Sequence, residues 1–228
     1  MSLPSATEVR KRIRNVPQED MRLCLMTCYA YAGRISEVVG CSSPSDNTTA
    51  RGPRGHDVHL DSFKLGRTKE PAAVFTVRTA KRDGMIRKIG LPLNFDGWAT
   101  PLLEYFKDAK DSLVFPFTRQ HVGTYVREHG VFKGLTYPIE TYGIYKEGKL
   151  VKKVEKHTRQ FGLHALRHQR ATELVEHYGF DGFNLAAYGG WTIRTSQLMF
   201  GVLVPVVFSR YLYLNWQGYF PKLLKESG

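Results

Sequence analysis

Residues Leu163-His164-Ala165-Leu166-Arg167-His168-Gln169-Arg170 (LHALRHQR) open an apolar-periodic run in the last third of the chain. Two histidines four apart stand on one face of a helix and are able to share a zinc ion. A metalloprotease helix of the H-E-x-x-H type needs a glutamate directly after the first histidine as general base. Here that position is Ala165, and the Arg167 cation between the rings repels a metal. No metal site is therefore expected. That both histidines are ordinary helix residues stays open, more so for His168. At about 100° per residue, Leu163, Leu166, Ala171, Leu174 and Val175 form one apolar arc, with Gln169, Thr172 and Glu176 on the opposite, wet side. Arg167 falls within roughly 20° of Leu174, near the middle of that arc, and His164 lies toward its edge. An arginine aimed into a core is costly unless it meets an anion, and its planar fork of donors fits a phosphate. A buried structural pair with a carboxylate is the other reading of the same residue.

The whole chain favours an anionic partner. Its 228 residues carry 33 Lys+Arg against 21 Asp+Glu, a formal charge of +12, which suits nucleic acid or an acidic surface better than a neutral ligand. The hydrophobic fraction of 42% is ordinary for a globular chain, and the length suffices for a sizeable core. The longest apolar run, Phe200 to Phe208, is too short to span a bilayer and contains Pro205. The N-terminus, MSLPSATEVRKR, lacks the apolar core of a secretory signal, so an intracellular, DNA-associated location is expected. Cys24, Cys28 and Cys41 are too few for a disulfide scaffold and lack a second pair for zinc, so they read as small core residues.

Local signals outline an α+β chain, mainly helical, with small antiparallel hairpins. Ser5-Ala6-Thr7-Glu8 is a capping box ahead of a short helix. A second helix starts at Pro17 and runs to about Ala32, where Gly33 interrupts it. Residues 41–55 are a Ser/Pro/Gly/Asn loop, followed by a short extended element through Val58, Leu60, Phe63 and Leu65. Ala73 to Ala80 and Met85 to Leu91 read as two strands turning at Asp83-Gly84. Helices follow near Gly97–Ala109 and Arg119–His129, then a second hairpin, Tyr142 to Glu155, turning at Glu147-Gly148. Next come the helix from Gly162 or Leu163 and a shorter one near Phe180–Tyr188, and the aromatic tail reads as partly helical. The pattern lacks the strand–helix alternation of a Rossmann fold.

These boxes together resemble the tyrosine recombinases, the integrase family of site-specific DNA strand-exchange enzymes. LHALRHQRATEL (163–174) is similar to the family's H-x-L-R-H box. Ala32-Gly33-Arg34-Ile35-Ser36-Glu37 resembles its G-x-R-x-S-E box, with Ala32 where glycine is usual. The resemblance implies a DNA breaking-rejoining fold, with Arg34 and Arg167 as catalytic arginines, Glu37 as supporting acid and His164 as catalytic histidine. Hairpin residue Lys81, near Thr79-Ala80-Lys81-Arg82, takes the catalytic-lysine position, and Trp191, ending LAAYGGW, the His-or-Trp position. Arg210-Tyr211-Leu212-Tyr213-Leu214 resembles the R-Y-x-H-L segment, which implies Tyr211 as nucleophile, with Tyr213 the next candidate and Tyr219 a third. The stretch from Trp191 to Tyr211 is longer than the family's, so 193–208 reads as an insertion. Residues 1–228 match a single catalytic domain, without the N-terminal DNA-clamping domain usual in the family. The ending NWQGYFPKLL is similar to archaeal mobile-element recombinases.

The chemistry explains why such residues belong together. A tyrosine hydroxyl attacks the phosphodiester and splits one difficult step into two through a covalent 3′-phosphotyrosine. Arg34 and Arg167 would stabilise charge growing on the nonbridging oxygens. Lys81 is placed to protonate the leaving 5′ oxygen, and His164 to exchange a proton with the tyrosine or donate to the phosphate. The Trp191 indole N–H is a further donor, while Glu37 orients Arg34 and His168 plays a supporting part. No metal, ATP or other cofactor is implied. The expected partner is double-stranded DNA, with tetramers during synapsis and a monomer or weak dimer in solution. Two other functions compete: relaxation of DNA in the manner of a type IB topoisomerase, against which His164 speaks, and DNA binding without catalysis.

Overall fold

The computed structural model describes residues 4–40, 52–78, 86–141, 145–146, 149–150, 155–190 and 216–227, with side chains outside 139–156. Helix α1 (Ala6–Arg14) begins at Ser5, whose hydroxyl accepts from the Glu8 N–H as the capping box requires. Its buried stripe, Val9 and Ile13, rests on α2 (Glu19–Ala30). Helix α2 is enclosed from Met21 to Ala30, and Cys24 and Cys28 are buried free thiols one turn apart, as small core residues should be. Cys41 lies outside the described residues.

The end of α2 departs from expectation. The helix stops at Ala30, and the left-handed turn falls on Ala32 (φ 44°) rather than on Gly33. The Gly33 N–H reaches back to Cys28 O and the Ala32 N–H to Tyr29 O, the paired bonds of a Schellman cap. Glycine normally takes that position because a Cβ is strained at positive φ. An alanine holds it here, which gives physical content to the glycine of G-x-R-x-S-E. Helix α3 (Ile35–Val38) follows at once.

Strands β1 (Val58–Leu65), β2 (Thr68–Arg78) and β3 (Ile86–Pro92) form an antiparallel sheet in that order. The sheet is larger than the hairpin read from Ala73 onward, because β2 begins at Thr68 and turns back to β1 through Gly66 (φ 61°). Helix α4 (Ala99–Ala109) lies under it, with Phe106 edge-on to both Phe75 and Phe115. After α5 (Arg119–Glu128), strands β4 (Thr136–Thr141) and β7 (Glu155–Gln160) pair as a ribbon. Between them β5 (Tyr145–Lys146) pairs with β6 (Lys149–Leu150), in the register of a turn at 147–148.

Helix α6 (Leu163–Glu176) carries LHALRHQR and packs on α2. Helix α7 (Gly182–Gly189) ends at a left-handed Gly190. A last turn, α8 (Trp216–Tyr219), runs into a 3₁₀ turn, Phe220–Leu223. Trp216 sits where Gly90 of β3 has no side chain; a Cβ there would lie 2.4 Å from the indole. Tyr219 donates to Lys88 O, and Ser227 N–H to Phe95 O, so the C-terminal segment is bound to its own chain. The class is mixed α+β with small antiparallel sheets. Among the described residues, no helix is long and apolar enough to cross a membrane.

The helical-wheel reading of α6 needs one correction. Leu166 and Leu174 are buried and Glu176 is exposed, as the arc implies. Gln169, placed on the wet side, is buried, and so are Arg170 and Glu173. The reason is an ionic layer beside the apolar one. The Glu173 carboxylate accepts from Arg10 Nε (3.0 Å), from the Tyr29 hydroxyl (3.1 Å) and from Arg170 Nη1. Arg10 also lies over the Trp98 ring, 4.5 Å from its centroid. A wheel that scores only apolar residues misses a face buried through paired charge.

Candidate functional site

The site forms where the end of α2 meets α3, α6, α7 and β3. Arg34 is the N-cap of α3, and Glu37 lies one turn on, buried. The Glu37 carboxylate accepts the Arg34 N–H at 3.1 Å through Oε2 and Arg34 Nη1 at 3.2 Å through Oε1. This reciprocal clip fixes an arginine whose side chain keeps 29% exposure. Gly33 makes the approach possible: a Cβ there would lie 3.3 Å from Glu37 Oε2 and 3.1 Å from the Tyr31 Cβ.

Arg167 enters the same junction from α6 and is 4% exposed. Its Nη1 donates to Ala32 O at 2.8 Å and its Nη2 to Gly189 O at 3.1 Å. Both acceptors are neutral carbonyls, one freed by the Ala32 turn and the other at the end of α7. The nearest described carboxylate oxygen, Glu37 Oε2, stands 3.9 Å from Nη1, beyond hydrogen-bond reach. Burial brings the Arg167 pKa down to about 10; Glu37 opposes that shift, while Arg34 and Arg87 add to it. The guanidinium thus sits in a field short of negative charge. An anion beside it would supply what is missing.

Arg87 is the residue that the sequence reading overlooked. It points inward from β3 between exposed Ile86 and Lys88, and its Nη2 donates to Tyr31 O and to Glu37 Oε2, both at 3.1 Å. Strand alternation was the available signal, since Arg87, Ile89 and Leu91 share one face. Three guanidiniums therefore surround one carboxylate.

His164 lies exposed one turn before Arg167, edge-on to His168 with ring centroids 4.8 Å apart. His168 stacks on Tyr137 at 6.4 Å. Its ring loses water against these neighbours, and that desolvation, with the charges of His164 and Arg167, holds its pKa below the ordinary histidine value. His168 therefore remains neutral and supports the His164 ring from behind.

Arg34, Glu37, His164 and Arg167 are thus brought together, with His168 behind them. Lys81, Trp191, Tyr211 and Tyr213 lie outside the described residues, as does the 193–208 stretch. Residues 79–85 join Arg78 and Ile86, which face each other in register, and Gly189, which Arg167 holds, lies two residues before Trp191. Tyr219 is unsuited to attack: it is fully buried, its hydroxyl is spent on Lys88 O, and burial pushes its pKa far up. No family model, curated protein or solved structure matches the chain.

Proposed function

We propose that the chain is the catalytic domain of a tyrosine-type site-specific DNA recombinase, with the breaking-rejoining fold of that family. It would cut and rejoin duplex DNA through a 3′-phosphotyrosine, without metal or ATP. One observation carries the reading: Arg167 is buried, hydrogen-bonded only to neutral carbonyls among its described bonds, and adjacent to a second arginine that Glu37 holds half-exposed. That arrangement suits one phosphodiester, gripped by two guanidiniums on its nonbridging oxygens as charge develops there. A purely structural arginine is satisfied by a carboxylate, as Arg170 is by Glu173. The chain's +12 charge fits a polyanion tracked along its backbone.

His164 occupies the position for proton exchange with the nucleophile or donation to the phosphate, and Lys81 that for protonating the leaving 5′ oxygen. Tyr211 is the proposed nucleophile and Tyr213 its alternative. Trapping on a nicked duplex, followed by mapping of the modified peptide, tests all of this. We expect a covalent DNA–protein adduct on Tyr211 that Tyr211→Phe abolishes. An adduct on Tyr213 reassigns the nucleophile. Retardation of DNA with no adduct under any condition selects the binding module, and relaxation without strand exchange selects the topoisomerase-like activity.

A further inference from the structure

We infer that Arg87 is a positioning residue of the phosphate site, holding Glu37 toward Arg34 and off Arg167, so that the anion meets two arginines rather than one closed ion pair. This rests on the reading of Arg34 and Arg167 as phosphate ligands.

The geometry makes the case. Glu37 Oε2 accepts from Arg87 Nη2 and from the Arg34 N–H, each at 3.1 Å, while Oε1 accepts Arg34 Nη1 at 3.2 Å. With both oxygens so engaged, Arg167 Nη1 is left at 3.9 Å. Were Arg87 absent, Oε2 would lose its partner from β3. The closest replacement is Arg167, less than an ångström beyond hydrogen-bond reach. A shift that small would close an Arg167–Glu37 pair and turn the site into the same kind of neutralised contact that Arg170 makes with Glu173.

A second observation separates this role from plain packing. The Arg87 side chain is 6% exposed, yet its Nε and Nη1 have no hydrogen-bond partner among the described residues. Burying a cation with two donors unmet is costly, and an apolar residue on that inward face of β3 would be cheaper. The arginine is thus retained for its one well-placed nitrogen, Nη2, which bridges Tyr31 O and Glu37 Oε2. That bridge ties the sheet to the α2–α3 junction at the carboxylate itself.

The test combines Arg87→Met, Arg87→Lys and the pair Arg87→Met/Glu37→Gln, each checked for folding by circular dichroism. Affinity for inorganic phosphate is read from the phosphate dependence of Tm. We expect Arg87→Met to weaken phosphate binding about tenfold or more, by the 1.4 kcal/mol per decade that one charged hydrogen bond commands. Arg87→Lys should retain most of the affinity. Glu37→Gln added to Arg87→Met should restore it to within about threefold of wild type, because the amide no longer captures Arg167. A merely structural role predicts the opposite sign, with the double variant as weak as the single or weaker, and that result would overturn the proposal. So would unchanged affinity in Arg87→Met. Adduct formation by the wild-type protein on nicked DNA is scored separately. Its failure with the phosphate pattern intact refutes the recombinase and leaves the anion site standing.

Discussion

Two arginines three positions apart on one helix, both buried, hold opposite electrostatic states. Arg170 is neutralised: Glu173 accepts its Nη1, and the Tyr188 hydroxyl accepts its Nη2 at 3.3 Å. Arg167 is oriented without being neutralised, through Ala32 O and Gly189 O. Substitution should separate them. Arg167→Lys keeps a charge but cannot reach both carbonyls and the phosphate with one ammonium. We expect its adduct formation on nicked DNA to fall by a factor on the order of 10²–10³, as for loss of an oxyanion donor. Arg170→Lys should lower Tm while each folded molecule still forms adduct at the wild-type rate. Single-turnover trapping, normalised to folded protein, checks both. The sequence made Arg167 legible because it interrupts an apolar arc. Arg170 was not, because its burial depends on Glu173 one turn along and on Arg10, more than 150 residues away.

Elements were legible wherever their signals were local. The capped α1, the β2–β3 pair and α6 are all encoded within a few residues of themselves. The turn after α2 shows the limit: glycine preference pointed to Gly33, whereas the Schellman bonds require the left-handed residue one position earlier, at Ala32. The seat of α8 was not legible either, since Gly90 and Trp216 are remote in sequence and a strand glycine has many causes. That contact is a test of element packing. Gly90→Ala must move the Trp216 ring, and we expect a loss of about 1–3 kcal/mol in urea unfolding. Trp216→Ala alone should cost about 3–5 kcal/mol. The double variant should cost less than the sum, because the new methyl enters space the indole has left.

Across the whole molecule, Glu173 joins the N-terminus to the candidate site, binding α1 through Arg10, α2 through Tyr29 and its own helix through Arg170. Burial alone would raise its pKa, but Arg170 and Arg10 outweigh burial and hold it below the ordinary glutamate value of 4.5. A depressed folded-state pKa stabilises above the unfolded value, and that stabilisation is lost as pH falls through the folded one. Glu173→Gln should therefore cost about 3–5 kcal/mol near neutrality, by leaving two buried guanidiniums short of charge. The gap to wild type should narrow as pH is lowered below 4.5 in denaturant titrations. The docked C-terminus carries a different consequence. Trp216, Tyr219, Phe220 and Leu223 are all buried against their own chain, so the polypeptide is moored at Trp216 on one side and at Gly190 on the other. Tyr211 precedes Trp216 by five residues, a leash of about 18 Å at full stretch. Under the proposed chemistry the scissile phosphate must come within that radius of the mooring. Delivery of the tyrosine to a more distant partner protomer would first require the indole to leave Gly90, which makes the Gly90–Trp216 contact the latch between attack at home and attack abroad.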